Sequence, residues 1–424
     1  MTAGAETSSG APARRPRIAL ILAGGGARGA YEAGVLAFLI EDLPKRLGHL
    51  PAFDIVSGAS VGAIHAAYWM ATLQDDAATR VARLTATWAS MSLERVYRLS
   101  LGDLFRIPTR LLGFPFTARA VGSHERIPSR LPGLLDTRAL EEMVMHEIPW
   151  RRLRANLRAR RGVLCISCTE IASGRAVVFV DGAPVSLTPW EYDPYVVARA
   201  SGIGPAHILA SAAIPLIFPA VRIGRHFYCD GGLRLNTPLA PALRLGTDRI
   251  LLVALSHPPD PGPIAATPHS REQAYSNPAY LLGKVLNAML LDHIDYDLQR
   301  MRLMNALLLG GEQAFGAAFL PRVNEIVRAS RGTDYRVVRD CVIRPSEDLG
   351  GLAGRCYAQR SRSLSPARLV ADLVMRSAAR GVPEGEADLL SYVLFDAAYT
   401  RQLFALGRRD AANQADEIAA LFAA

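Results

Sequence analysis

The chain has 424 residues, of which 50% are hydrophobic and 21% charged, and its net charge at pH 7 is +9. This composition excludes a disordered chain, and the length allows two or three domains. The excess positive charge, mostly arginine, favours anionic partners such as a phospholipid surface. Because no aromatic residues alternate with the arginines as in a nucleic-acid module, we expect no nucleic-acid partner.

The five cysteines are too few and too scattered for a disulfide framework. Cys165 and Cys168 lie within the apolar run GVLCISCTEI, so we expect them in a buried strand rather than at a metal or redox site. No cofactor and no metal are expected.

Two segments resemble membrane signals. A twin arginine precedes the apolar residues 18–23, but this run is short and leads straight into glycines. The uncharged stretch Gly202–Val221 is interrupted by three prolines, which argue against one continuous helix. We therefore expect no membrane-spanning segment and a cytoplasmic protein that contacts membranes peripherally.

In chain order, residues 1–16 lack periodicity and are predicted to be a disordered tail. RIALILA then predicts a buried strand and AYEAGVLAFLIEDL an amphipathic helix, and the pair repeats as FDIVSG and SVGAIHAAYWMATLQ. Strand, glycine turn and helix in repetition predict a mostly parallel sheet covered by helices. Four later strands, GVLCISCTEI, RAVVFV, HFYCDG and DRILLVALS, extend the predicted sheet to about Ser256.

The remaining segments differ from the strand and helix repeats in composition. Residues 90–135 are rich in Pro, Gly, Arg and large apolar side chains; they predict a cap-like insertion, which is either a membrane-touching flap or an irregular surface segment. Residues 257–279 form a Pro-rich linker, and residues 280–424 are predicted to be a helical region packed on the core.

A first chemical motif, GASVG, surrounds Ser60, with an apolar strand before it and a helical pattern after it. GxSxG in this context is typical of a nucleophile on a sharp strand-to-helix turn. Gly58 and Gly62 would allow the turn and the close packing of strand and helix. The alternative is a small residue at an ordinary strand-to-helix junction.

A second motif, GGGARG, follows the first strand and predicts backbone N–H groups that bind an anion or an oxyanion. The same residues also match GxGxxG, a dinucleotide fingerprint. That interpretation lacks an acidic residue at the end of the second strand, since Glu41 and Asp42 fall within the first predicted helix. A phosphate-binding P-loop is excluded because no Lys-Ser or Lys-Thr follows the glycines.

A third motif, Asp-Gly-Gly, begins at Asp230, where the predicted strand HFYC ends. A carboxylate near a serine takes its proton directly or orients a histidine that does so. The alternative is an ordinary Asp-Gly turn.

Together and in this order, the three motifs resemble those of the patatin-like phospholipases, and we expect a bacterial member. LLDTRALEEMV, CTEIASGRAVVF, ASAAIPLIFPAVRI and DGGLRLNTPLAPALRLGTDRILLVAL are also similar to that family. The resemblance covers residues 17–256 and departs only in Asp-Gly-Gly, where some members have Asp-Gly-Ala. It implies an α/β fold: a three-layer α/β/α sandwich with a mostly parallel central sheet, here followed by a helical C-terminal region.

The resemblance also implies a serine acyl hydrolase of phospholipids or other acyl lipids, of the phospholipase A or lysophospholipase type. Ser60 would be the nucleophile and Asp230 its base. The oxyanion hole would be built by the loop residues Gly24, Gly25, Gly26, Ala27, Arg28 and Gly29, with Arg28 holding the loop or meeting the lipid phosphate.

Other functions stay open at this level. His257 follows the last predicted strand and would complete a Ser-Asp-His triad, as in an esterase of small or neutral-lipid esters. His65 lies one helical turn beyond Ser60, where a structural role is expected. A dinucleotide-dependent oxidoreductase and a non-catalytic protein that binds anionic lipid are the alternatives from other classes.

Overall fold

The computed structural model describes residues 15–96, 137–182, 187, 190, 193–215, 218–258, 281, 294–359 and 388–423. Most of the predicted tail, cap-like insertion and Pro-rich linker lies outside these residues. So do residues 282–293 and 360–387 of the predicted helical region.

The described strands form a single sheet. β1 to β9 are Ile18–Leu22, Ile55–Ala59, Val163–Glu170, Ala176–Asp181, Val196–Ala200, Val221–Ile223, His226–Asp230, Arg249–Val253 and Arg339–Ile343. The six strands predicted from the sequence correspond to β1, β2, β3, β4, β7 and β8. Apart from β7, whose first residue His226 is exposed, these strands are apolar runs buried at nearly every position, as a strand covered on both faces requires.

The sheet has the order β5-β4-β3-β2-β1-β8-β9, and β7 pairs with β3 and β6 off this path. Pairing is parallel from β3 through β2, β1 and β8 to β9, and antiparallel where β3 meets β4 and β7. The mostly parallel sheet is confirmed. The C-terminal region is not purely helical, however, because Arg339–Ile343 adds the edge strand β9. With two charged residues among five, that strand lacks the apolar run from which the others were predicted.

Sixteen α-helices and one 3₁₀ helix, Gly26–Arg28, accompany the sheet in the described part of the chain. α1 to α16 are Gly29–Glu41, Leu43–Leu47, Val61–Ala71, Ala77–Ala89, Leu93–Val96, Arg138–Glu147, Trp150–Arg158, Pro205–Ser211, Gly232–Leu235, Leu239–Arg244, Ile294–Phe315, Phe319–Arg331, Leu349–Ala358, Asp388–Val393, Ala397–Asn413 and Ala415–Ala420. Within the described ranges, none of them has both the length and the apolar character needed to cross a bilayer.

Both faces of the sheet are covered, which makes the three layers. Successive side chains of a strand point to opposite faces, so Leu20 and Leu22 join the core formed with α1, α3 and α15. Ala19 and Ile21 join the core on the other face, to which α10 and α11 contribute. The predicted α/β/α sandwich is therefore present.

Helix α1 is buried from Gly29 to Ile40 rather than along one stripe. The reason is α15, from the C-terminal region, which packs on its outer side. The contact is close: a Cβ on Gly34 would lie 2.0 Å from the carbonyl oxygen of Phe404, and one on Gly407 would lie 2.0 Å from that of Tyr31. The C-terminal region thus completes the burial of the first helix.

We predict that Gly34→Ala lowers the free energy of unfolding, by about 1–3 kcal/mol, because the added methyl must force two backbones apart. Gly310→Ala is the matched control, since Gly310 lies in α11 and a Cβ there would have no atom of another element within 4 Å. There, alanine should stabilise the helix by up to about 1 kcal/mol. Urea titration of both variants measures the two changes, and equal effects would contradict the α1–α15 packing.

Candidate active site

Ser60 is the residue between β2 and α3, and its backbone is strained. Its φ of 52° and ψ of −123° lie in a region that side-chain-bearing residues rarely adopt. Glycines permit the turn: a Cβ on Gly58 would lie 2.2 Å from the carbonyl oxygen of Gly62, and one on Gly62 would lie 2.3 Å from that of Leu22. The geometry is that of the strained strand-to-helix turn that GxSxG predicts.

The hydroxyl of Ser60 donates a hydrogen bond to Asp230, with 2.7 Å between Oγ and Oδ2. Strand β3 brings these distant residues together. Ala59 pairs with Ser167 and Asp230 pairs with Cys168, while β4 occupies the opposite edge of β3. Strands β2 and β7 therefore arrive end to end along one edge of β3, and Ser60 meets Asp230 where they converge.

Asp230 is 2% exposed. Its carboxylate accepts hydrogen bonds from the Ser60 hydroxyl and, at 2.7 Å, from the backbone N–H of Gly232. Burial disfavours the charged form more strongly than these two donors favour it, so the pKa of Asp230 is raised from 3.8 to about 6. Asp230 is thus a stronger base than an exposed aspartate and is still largely ionised at neutral pH.

A second set of hydrogen bonds holds the two residues in place. The Ser211 hydroxyl, at the end of α8, accepts from the N–H of Ser60 at 2.9 Å and donates to the carbonyl of Ser167 at 2.6 Å. The Thr169 hydroxyl donates to the carbonyl of Asp230 at 2.8 Å. These contacts tie the turn, strand β3 and the base into one rigid unit.

The glycine loop after β1 lies against Ser60. Gly24 donates its N–H to the carbonyl of Asn236 and accepts from the Asn236 amide, at 3.1 and 3.2 Å. A Cβ on Gly24 would lie 3.0 Å from the Ser60 Cβ. Among the described residues, the N–H groups of Gly25 and Gly26 bond no partner. They are the donors in this loop that an oxyanion could use.

Two other residues of the loop are packed against their surroundings. Ala27 is fully buried, and Gly29 packs against Val61 and Trp88. Val61 begins α3, so its own N–H lacks an intrahelical acceptor. The N–H after a nucleophile is a usual second oxyanion donor, and the sequence analysis did not single it out.

Arg28 is buried to 3% exposure. Its Nε donates to the Ser391 hydroxyl at 2.8 Å, and its Nη1 donates to the carbonyl of Leu255 at 3.3 Å. The guanidinium also lies 4.2 Å from the centre of the Tyr392 ring. Of the two roles expected for Arg28, holding the loop fits this environment, whereas a lipid phosphate would have to enter the core.

The two histidines considered from the sequence do not contact the Ser60 hydroxyl. His65 has both ring nitrogens engaged: Nδ1 lies 2.6 Å from Glu32 Oε1, and Nε2 accepts from the Trp88 indole at 3.1 Å. Because an indole N–H only donates, Nδ1 must carry the proton shared with Glu32. His257 is exposed, and its Nδ1 lies 2.7 Å from the carbonyl oxygen of Pro258.

The acidic residues weighed for a dinucleotide site lie elsewhere. Glu41 ends α1 and Asp42 follows it, and both pair with Arg408 of α15, at 2.6 and 2.7 Å. They therefore join α1 to the C-terminal region and do not face the glycine loop at the start of the helix.

Sequence reasoning missed the residues that support the site: Ser211, Asn236, Ser391 and Tyr392. Asn236 and Ser211 lie within stretches that resemble the family, but no spacing rule connects them to Ser60 or Gly24. Ser391 lies 363 residues from Arg28, so only the folded chain brings the two together.

We predict that replacing Asp230 by Asn stabilises the protein above pH 6. A carboxyl whose pKa rises on folding binds protons more tightly in the folded state, so its contribution is full below about pH 4 and is lost as pH rises through about 6. The wild type should therefore lose up to about 3 kcal/mol relative to Asp230→Asn over that interval. Denaturant titrations at several pH values measure the difference in free energy of unfolding between the wild type and Asp230→Asn. The prediction is contradicted if this difference does not change with pH, or if Asp416→Asn, whose side chain is 94% exposed, shows the same change.

Residues 20–243 of the chain match the family model for patatin-like phospholipases. Comparison with curated protein sequences gives no match.

Two solved structures resemble the chain at low sequence identity. VipD from Legionella pneumophila is 14% identical with a TM-score of 0.28, and the alignment covers 92% of this chain and 67% of VipD. Human GIVD cytosolic phospholipase A2, in complex with methyl gamma-linolenyl fluorophosphonate, is 13% identical with a TM-score of 0.41, and 96% and 58% of the two chains are covered. This chain therefore spans about three fifths of the length of the human protein.

The family match extends over more than half of the chain and includes the glycine loop, the Ser60 turn and Asp230. The protein belongs to the patatin-like phospholipase family.

Proposed function

We propose that this protein is a serine acyl hydrolase that cleaves fatty-acyl esters of phospholipids or other acyl lipids through a Ser60–Asp230 dyad. The observation that carries the proposal is the 2.7 Å hydrogen bond between Ser60 Oγ and Asp230 Oδ2 at a strained turn. Membership of a lipid-hydrolase family supports the reaction class.

In the proposed mechanism, Ser60 Oγ attacks the ester carbonyl carbon and its proton passes to Asp230. The N–H groups of Gly25, Gly26 and Val61 stabilise the oxyanion, each such donor being worth about 3–4 kcal/mol. Collapse of the tetrahedral intermediate breaks the ester C–O bond, and the leaving alcohol takes the proton from Asp230. Water then attacks the acyl-enzyme with Asp230 as the base, which releases the fatty acid and restores Ser60.

A Ser-Asp-His triad is less well supported. The Ser60 hydroxyl already donates to Asp230 directly, and the His257 ring lies against its neighbouring backbone. A carboxylate with a pKa of about 6 removes the need for an intervening imidazole, because its basicity approaches that of histidine.

The net charge of +9 supports a substrate presented at an anionic membrane surface, to which the protein would bind peripherally. Vesicles that contain anionic phospholipid should therefore be hydrolysed faster than neutral vesicles at low salt. Raising the salt concentration should remove this difference, because it screens the attraction.

We predict that Ser60→Ala abolishes fatty-acid release from mixed micelles of phospholipid and from a short-chain nitrophenyl ester. Asp230→Asn should lower release by about 10²–10⁴-fold, the usual contribution of a general base. Ser57→Ala is the matched control: its buried hydroxyl lies three residues before Ser60 and has no hydrogen-bond partner among the described residues. Ser57→Ala and His257→Ala should both retain activity.

Release that survives Ser60→Ala would refute the proposed nucleophile, and loss of activity in His257→Ala would favour the triad. Binding to anionic vesicles without hydrolysis by the intact protein would instead indicate a non-catalytic lipid-binding role. Circular dichroism of each variant verifies that the fold is retained.

The pH dependence supplies a separate prediction. Asp230 acts as a base only when ionised, so kcat/KM of the nitrophenyl ester should rise about tenfold per pH unit below about pH 6 and level off above it. A rate that is flat from pH 4 to 8 would contradict the assignment of Asp230 as the base.

A further inference from the structure

A cavity of about 340 Å³ lies on the sheet face covered by α10 and α11. Its apolar lining includes Leu239, Met301 and Val338, which belong to the core of that face. Four arginines also line it: Arg244, Arg300, Arg331 and Arg336. The cavity thus joins an apolar floor to a concentration of guanidinium groups.

This cavity is separate from the Ser60 site. Arg336 donates to the carbonyl of Gly246 at 2.9 Å and pairs with Asp248 at 3.2 Å, and both of these residues precede β8. Strands β8, β1 and β2 run parallel. The cavity therefore lies near the amino-terminal ends of these strands, whereas Ser60 lies at the carboxyl-terminal end of β2.

The arginines have donor capacity that the described residues do not use. Arg244 Nη1 and Arg336 Nε are buried and bond no partner in the described part of the chain. Arg300 and Arg331 form no ion pair with a described carboxylate, although Arg331 stacks on Tyr335 at 4.4 Å. Buried donors left unsatisfied cost free energy, which a bound acceptor would recover.

Carboxylates offset only part of this charge. Asp193 pairs with Arg244 and Asp248 with Arg336, whereas Asp334 pairs with Arg328 outside the lining at 2.9 Å. Arg300 and Arg331 are therefore the two arginines of the lining whose charge no described carboxylate balances. Mutual repulsion remains: burial and the nearby Arg244, Arg300 and Arg336 lower the pKa of Arg331.

We propose that this cavity binds a phosphate monoester, with the guanidinium groups on the phosphate and the organic part on the apolar floor. Guanidinium matches phosphate through paired N–H donors, and the volume suits a small organic ligand. The phosphate is that of a lipid headgroup or of a soluble phosphate ester. This proposal does not depend on the hydrolase activity proposed above.

The test measures binding of sn-glycerol 3-phosphate by calorimetry, and of phosphatidylcholine vesicles with and without phosphatidic acid by sedimentation. The full chain with Ser60→Ala is used, so that hydrolysis does not consume lipid. The cavity variant is Arg300→Gln with Arg331→Gln. The charge-matched control is Arg322→Gln with Arg401→Gln, both exposed and outside the cavity lining.

Binding should weaken at least about tenfold in the cavity variant and stay within about twofold in the control, since only the former loses phosphate contacts. Binding of phosphatidic acid vesicles alone would identify a lipid headgroup, and binding of glycerol 3-phosphate would identify a soluble ester. The proposal is refuted if neither probe binds at concentrations up to about 10 mM, or if both double variants bind equally.

Discussion

The site depends on one constraint: two strands must meet end to end on the same edge of β3. Parallel β2 delivers Ser60 from one direction, and antiparallel β7 delivers Asp230 from the other. Pairing with adjacent residues of β3, Ser167 and Cys168, sets their spacing with the precision of a sheet ladder. The hydrogen bond between two residues 170 positions apart is therefore a consequence of strand register.

Two features of this arrangement destabilise the folded state locally. Ser60 occupies a strained backbone conformation, and Asp230 has an ionised carboxylate in an enclosed position. Each is destabilising by itself, and both persist because the surrounding sheet and α8 hold them. Such strained and buried groups are common at sites where reactivity rather than stability has been selected.

The C-terminal region forms part of the sheet, the core and the support of the glycine loop. It supplies the edge strand β9, the helix α15 that covers α1, and the side chains that hold Arg28. The glycine loop therefore rests on residues from both ends of the chain. Arg408 reinforces the connection by pairing with Glu41 and Asp42, so removal of this region would expose the first helix.

From the sequence alone, local patterns determined the strands β1, β2, β3, β4, β7 and β8, the helices that follow the first two strands, and the chemical candidates Ser60, Asp230 and the glycine loop. The predictions of strands and helices are confirmed because buried runs and glycine turns are properties of neighbouring residues, whereas the catalytic roles of Ser60, Asp230 and the glycine loop stay predictions. Only the tertiary structure decided that α1 is buried on every side, that Arg28 bonds Ser391, and that four arginines converge on one cavity. Such contacts join residues far apart in the chain, and their geometry follows from strand order and helix packing, which no local spacing encodes.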